Sequence, residues 1–167
     1  MRAFRKLLVG TIGALSLVGL GSASVGAHSD TLLEFNSMSP VTGAAVGAVN
    51  DRGLTGGGLP WVIKSGRGEV DGDGQVSARV KGLIIVVAPV NGKNPIANFS
   101  ATVSCITPGG IVNVTSGLFP ASSTGNSKIK ATVTLPSRCD KPELFVGTTT
   151  KTGAFVWFAE SNAEDED

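Results

Sequence analysis

Two segments of the chain alternate between apolar and polar residues, the pattern of a strand with one buried and one exposed face. From Phe99 to Cys105 the apolar residues stand at odd positions, and the even positions hold Ser100, Thr102 and Ser104. The alternation recurs between residues 128 and 135, where the apolar side is Ile129, Ala131, Val133 and Leu135. We predict a strand in each segment, with the apolar side in the core and the polar side, including Lys128 and Lys130, in water.

Shorter runs of similar character are separated by turn residues along the rest of the chain. Further strands are predicted at 32–35, 60–63, 68–70, 75–87, 111–114, 144–146 and 154–158. The turn at Asp71-Gly-Asp-Gly74 is a strong hairpin signal, and no long stretch has helical periodicity. The pattern predicts an all-β fold, an antiparallel two-sheet sandwich (Ig-like or jelly-roll-like) of about eight strands. A β-barrel is the alternative.

One long stretch, Ser37–Gly58, is rich in Gly, Ala and Val and has no clear period. We expect an extended loop crossing one end of the sandwich. Long loops without secondary structure inside a domain are often functional, so this loop is also a candidate docking segment.

The N-terminus has the features of a secretory signal peptide at 1–27. A basic start is followed by an uncharged apolar run from Leu7 to Leu20 and by small residues up to Ala27. We predict cleavage after Ala27, export, and no membrane span in the mature chain, because the run is shorter than the roughly 20 residues that a spanning helix needs. An uncleaved anchor is the alternative. Residues 28–160 are predicted to be one domain and 161–167 an acidic flexible tail.

The two cysteines, Cys105 and Cys139, are an even pair in a chain predicted to be exported, which favours a disulfide. Because Cys105 ends one predicted strand and Cys139 follows the other, we expect the bridge to pin those two strands together. Two buried free thiols are the alternative.

Charge argues against nucleic acid as a partner. Removal of residues 1–27 takes three of the 14 basic residues and none of the 13 acidic ones, leaving a net charge of −2. No basic stripe is visible in the sequence, so there is little attraction for phosphates.

The inventory of reactive side chains argues against an enzyme. The chain has one histidine, His28, at the first predicted mature position, and no tyrosine. The sequence around Asp71 resembles the start of a calcium loop, but its twelfth position holds Val80 rather than a carboxylate. We therefore predict no catalytic residues, no metal and no cofactor. A small hydrolase using Glu69 and Asp71, which a strand would place on one face, is the alternative.

The most distinctive local feature is Gly56-Gly57-Gly58-Leu-Pro-Trp61. Glycines permit close backbone approach, and an exposed Trp is a stacking surface for a sugar. Trp61 with Gly56, Gly57 and Gly58 is therefore the candidate ligand site. The alternative is a loop whose Trp61 covers one end of the core.

Four fragments together resemble a group of small exported bacterial proteins to which no function is assigned. They are GGGLPW (56–61), ANFSATVSC (97–105), GLFPAS (117–122) and ATVTLPS (131–137). The resemblance extends from about Leu33 to Phe158 and implies an exported domain with one disulfide. We predict a secreted, non-catalytic module with a binding or structural role, whose partner is a cell-wall polysaccharide or another surface protein. The alternative is a protein-interaction module that docks through an exposed edge strand or the 37–58 loop.

Overall fold

A computed structural model describes residues 30–162 of the chain, so the predicted signal peptide, His28 and residues 163–167 lie outside the described residues. The described part is nearly all β. Its strands are β1 (Thr31–Phe35), β2 (Ser37–Pro40), β3 (Thr55–Gly56), β4 (Trp61–Val62), β5 (Ser65–Asp71), β6 (Gln75–Lys81), β7 (Ile84–Ile85), β8 (Asn98–Thr107), β9 (Gly110–Thr115), β10 (Phe119–Pro120), β11 (Ser127–Thr132), β12 (Asp140–Thr149) and β13 (Phe155–Asn162). A 3-10 helix at Gly43–Ala45 is the one helical turn in this part of the chain.

The strands form three sheets. The four-stranded sheet has the order β1-β5-β6-β11, and all of its neighbours are antiparallel. The larger sheet has the order β10-β8-β12-β13-β2, with β9 paired to β8 and the short β3 parallel to β13. Strands β4 and β7 pair separately. No helix within residues 30–162 is long and apolar enough to cross a membrane.

The inward faces of the two larger sheets contribute to one hydrophobic cluster. The four-stranded sheet supplies Phe35, Val70, Val76, Val80 and Ile129, and the larger sheet supplies Phe99, Val103, Leu144, Val146 and Ala159. In β5 the inward positions include Gly68, where an added Cβ would lie 2.8 Å from Cζ of Phe35. Because Gly68 has no side chain, the Phe35 ring can pack directly over it in the core.

Several expectations about the strands need correction. Residues 30–162 form thirteen strands, four of them only two residues long, in place of the expected eight or so. The 37–58 segment is not a plain loop, because β2 and β3 within it both pair with β13. The strand predicted at 128–135 ends at Thr132. Strand β13 continues to Asn162, past the predicted domain boundary at 160, and Ser161 accepts a hydrogen bond from the Leu144 amide.

The polar side of β8 does not face water, contrary to the alternation argument. Ser100, Thr102 and Ser104 are fully buried. Segment 49–55 covers this side of the sheet: its Leu54 carbonyl accepts a hydrogen bond from Trp157, and its Arg52 carbonyl accepts one from Asn113. Strand β8 is therefore buried on both faces.

The disulfide between Cys105 and Cys139 is present, with the two Cα atoms 4.6 Å apart. It does not pin together the two strands named from the sequence. Strand β11 lies in the other sheet, and residues 133–139 carry the chain from β11 to the start of β12. Since Asp140 of β12 pairs with Ile106 of β8, the bridge joins neighbouring strands of the larger sheet.

Candidate binding face

The outward face of the four-stranded sheet carries most of its charged side chains. In the antiparallel register Arg67 of β5 stands opposite Arg79 of β6, and Arg79 stands opposite Lys128 of β11. These three residues form one row across three neighbouring strands, here called the cationic row. With adjacent strands ~4.8 Å apart, the backbone positions of Arg67 and Lys128 are about 10 Å apart.

The next row along the strands has a different character. Glu34 of β1 is opposite Glu69 of β5, Glu69 is opposite Ser77 of β6, and Ser77 is opposite Lys130 of β11. We call this the mixed row. Its acidic end lies at β1 and β5, and its cationic end lies at β11 beside Lys128. The face is therefore acidic where β1 meets β5 and cationic along the cationic row and along β11.

No side chain of the cationic row makes an ion pair with another described residue. The two ion pairs among the described residues are Arg52–Glu143 and Arg138–Asp140, both outside this face. Like charges directly opposite on neighbouring strands destabilise a sheet, whereas opposite charges stabilise it. A row of three like charges thus runs against the stability of its own sheet, which is common at functional sites.

A shallow hollow of about 470 Å³ opens on this face. Its lining includes four basic side chains (Arg67, Arg79, Lys128 and Lys130) and two acidic ones (Glu34 and Glu69). Ser77 is the small residue among these longer side chains. The hollow therefore presents a net positive lining to solvent, with hydroxyl and amide groups from Ser77 and Asn36 at its wall.

The repulsion within the cationic row leads to a stability prediction. Replacing the central residue, Arg79→Gln, removes the repulsion between Arg79 and both Arg67 and Lys128. The substitution should raise the free energy of unfolding by about 0.5 kcal/mol. Chemical denaturation at low and high salt checks this, and the gain should shrink in salt because exposed charges are screened. Lys93→Gln, an exposed cation outside the face, is the control. A loss of stability in Arg79→Gln would contradict the statement that like-charge repulsion in the cationic row destabilises the sheet.

The glycine–tryptophan segment lies elsewhere. Trp61 is 2% exposed and stacks on Phe158 with ring centroids 4.2 Å apart. Gly57 is also buried, and an added Cβ there would lie 2.7 Å from Nε1 of Trp61. Gly56 packs against the backbone of Ala45, while Gly58 is exposed. A sugar-stacking site needs an open ring, and the Trp61 ring is in the core instead.

A second polar cluster lies on the outer side of the larger sheet, under segment 49–55. The Arg52 side chain is 5% exposed and donates to Glu143 at 2.5 Å and to the Lys141 carbonyl at 3.0 Å. Glu160 is nearby on β13, and burial raises its pKa above the ordinary 4.5, with the charges of Glu143 and Asp51 raising that pKa further. The cluster fastens segment 49–55 to the sheet.

The raised pKa of Glu160 makes stability depend on pH. Since the folded state favours the protonated form, Glu160 contributes stability below its unfolded pKa, and this is lost as pH rises through the higher folded pKa. Glu160→Gln should therefore be more stable than wild type near pH 7, and the difference should vanish near pH 4. Thermal unfolding at both pH values checks this, with Asp30→Asn as a charge control. Equal stability at neutral pH would contradict it.

The carboxylates singled out from the sequence form a turn and one edge of the charged face. Residues 71–74 form the predicted hairpin turn, closed by a hydrogen bond from the Gly74 amide to the Asp71 carbonyl. Glu69 and Asp71 line one shallow depression together with Lys130. Within residues 30–162 no group of three or more His, Cys, Asp or Glu side chains is arranged to hold a metal ion.

Comparison with known proteins adds no assignment. No family model, curated protein or solved structure matches the chain. The resemblance to small exported bacterial proteins stays a prediction.

Sequence reasoning recognised Lys128 and Lys130 as outward but missed Arg67 and Arg79. In β5 the inward positions include Gly66 and Gly68, so the strand lacks the apolar alternation that reveals a face. A signal was nevertheless present: charged residues recur at every second position, at 67, 69 and 71. What no local pattern gives is the register that brings residues 67, 79 and 128 into one row.

Proposed function

We propose that the mature chain is an exported, non-catalytic binding module that acts at the cell surface or in the extracellular space. Its binding surface is the outward face of the four-stranded sheet. The single observation that carries this proposal is the cationic row, three like charges held opposite one another without an ion pair to another described residue. A binding role gives those charges a purpose that folding does not.

Two further features support the proposal. The Cys105–Cys139 bridge is compatible with an oxidising extracellular compartment. The inward side chains of both larger sheets join one cluster, which favours a two-layer β-sandwich, Ig-like or jelly-roll-like, whose outer face is free to bind. We retain a cell-wall polysaccharide as the candidate ligand. Its proposed site is now this face rather than Trp61.

The test is sedimentation of purified residues 28–167 with isolated cell walls of the source organism. The wild type should sediment with the walls, and Arg67→Gln/Arg79→Gln/Lys128→Gln should stay in the supernatant. The matched control, Lys64→Gln/Lys93→Gln/Lys151→Gln, removes the same charge at exposed positions outside the cationic row and should sediment like wild type. Equal sedimentation of the two triple variants would refute the proposed binding face.

A protein-interaction module is the second candidate, favoured by the edge strand β9. This strand pairs with β8 on one side, and the hairpin exposes three large apolar side chains, Ile106, Ile111 and Val112. Uncharged exposed edges are sites where another chain adds a strand. If Val112→Lys loses wall binding while the cationic-row variant keeps it, this candidate replaces the first.

A further inference from the structure

We propose that the ligand of this face is a linear anionic polysaccharide that crosses the strands along the cationic row. The inference rests on the proposed function and adds the chemical class and direction of the ligand. Arg67, Arg79 and Lys128 present three positive charges in line, at intervals set by the strand spacing of ~4.8 Å. That interval is comparable to the length of one sugar residue, so successive anionic sugars meet successive cations.

The side chains of the row suit carboxylate, phosphate or sulfate groups. The guanidinium of arginine offers a planar fork of donors that binds such groups through two parallel hydrogen bonds, and lysine adds a point charge. Ser77, Asn36 and Gln75, on or beside the hollow, supply the hydroxyl and amide groups that hydroxyls of a sugar pair with. The face thus offers both kinds of contact that an acidic sugar needs.

The acidic corner sets the direction of the chain. A polyanion running along β5 would pass from Arg67 over Glu69 and Asp71, where it is repelled. A polyanion running across the strands meets Arg67, Arg79 and Lys128 in turn. Glu34 and Glu69 therefore repel the ligand from the β1 and β5 end of the mixed row. Of the remaining paths the cationic row has the most positive charges, three, whereas β11 alone has two, Lys128 and Lys130.

Repulsion by Glu34 and Glu69 also argues against duplex DNA as the ligand. DNA carries one charge per roughly 1.7 Å of its axis on a broad surface, so its phosphates would also lie over Glu34 and Glu69. Recognition of neutral sugars or unpaired bases by stacking needs exposed aromatic rings. The two rows hold six charged residues and one serine and no aromatic ring, so charge decides what binds.

The test measures binding of four polymers to the full mature protein by calorimetry at low salt. The probes are polygalacturonate, dextran sulfate, neutral dextran and duplex DNA. Polygalacturonate and dextran sulfate should bind, and the cationic-row variant should weaken both at least tenfold, with each exposed charge contact contributing a modest factor. Binding should also fall steeply with salt, and the control triple variant should stay within about twofold of wild type.

A further variant tests whether Glu34 and Glu69 exclude DNA. Glu34→Gln/Glu69→Gln should increase DNA binding by about tenfold or more while changing polygalacturonate binding less. Neutral dextran binding as tightly as polygalacturonate, or DNA binding to the wild type as tightly, would overturn the inference. If walls capture the protein through the cationic row but neither anionic polysaccharide binds, the proposed function stands and the ligand class is wrong.

Discussion

Replacing Trp61 with alanine is expected to lower the free energy of unfolding by about 4 kcal/mol. The ring is 2% exposed, stacks on Phe158 and lies against Gly57, so its removal leaves a large apolar cavity. Backbone contacts from residue 61 to Val41 and Ile85 hold the site open and limit its collapse. Chemical denaturation of both proteins measures the loss.

A matched variant separates a core role from a binding role. Trp61→Phe keeps an aromatic ring against Phe158 and should cost about half as much as Trp61→Ala. Neither variant should change sedimentation with cell walls below its unfolding temperature. An alanine variant with wild-type stability and lost wall binding would contradict the core assignment and restore Trp61 as a ligand anchor.

Removing the disulfide is the second large expected effect. The bridge joins residues 34 apart in sequence, and closing a loop of that length restricts the unfolded chain by roughly 3–4 kcal/mol. Cys105→Ala/Cys139→Ala should therefore lose about 3 kcal/mol, with a smaller contribution from the packing contacts of the two removed sulfur atoms. Reduction of the wild-type protein should bring its stability to nearly the same value.

Intact mass after alkylation tests the bridge itself. Exported protein should take up no label without reduction and two labels after it. Labelling of both thiols without reduction would contradict the bridge.

The alternation of β8 and β11 was enough to predict their inward faces. Phe99, Val103 and Ile129 are all buried, and so is Val133 just after β11. The prediction that Ser100, Thr102 and Ser104 face water was wrong. An alternation with a period of two shows which residues share a face of the strand, but it does not show what covers that face. The cover is segment 49–55, whose position depends on Arg52 reaching Glu143 more than ninety residues away.

The candidate binding face required the register of three strands. Composition gave a nearly neutral net charge for the predicted mature chain and concealed the row, because acidic residues elsewhere in the sequence, four of them at 164–167, balance its charges. Trp61 drew attention from the sequence because a loop-borne aromatic resembles a binding anchor. Its burial depends on Phe158, at the opposite end of the domain sequence, which no local pattern reveals.

The most direct test of the central claim is amide chemical-shift mapping by nitrogen–proton correlation NMR, with soluble wall fragments titrated into the labelled mature protein. We expect the shifts to concentrate in β5, β6 and β11, around Arg67, Arg79 and Lys128, and to disappear in the cationic-row variant. Shifts confined to β9 or to residues 37–58, with the four-stranded sheet unchanged, would contradict the account.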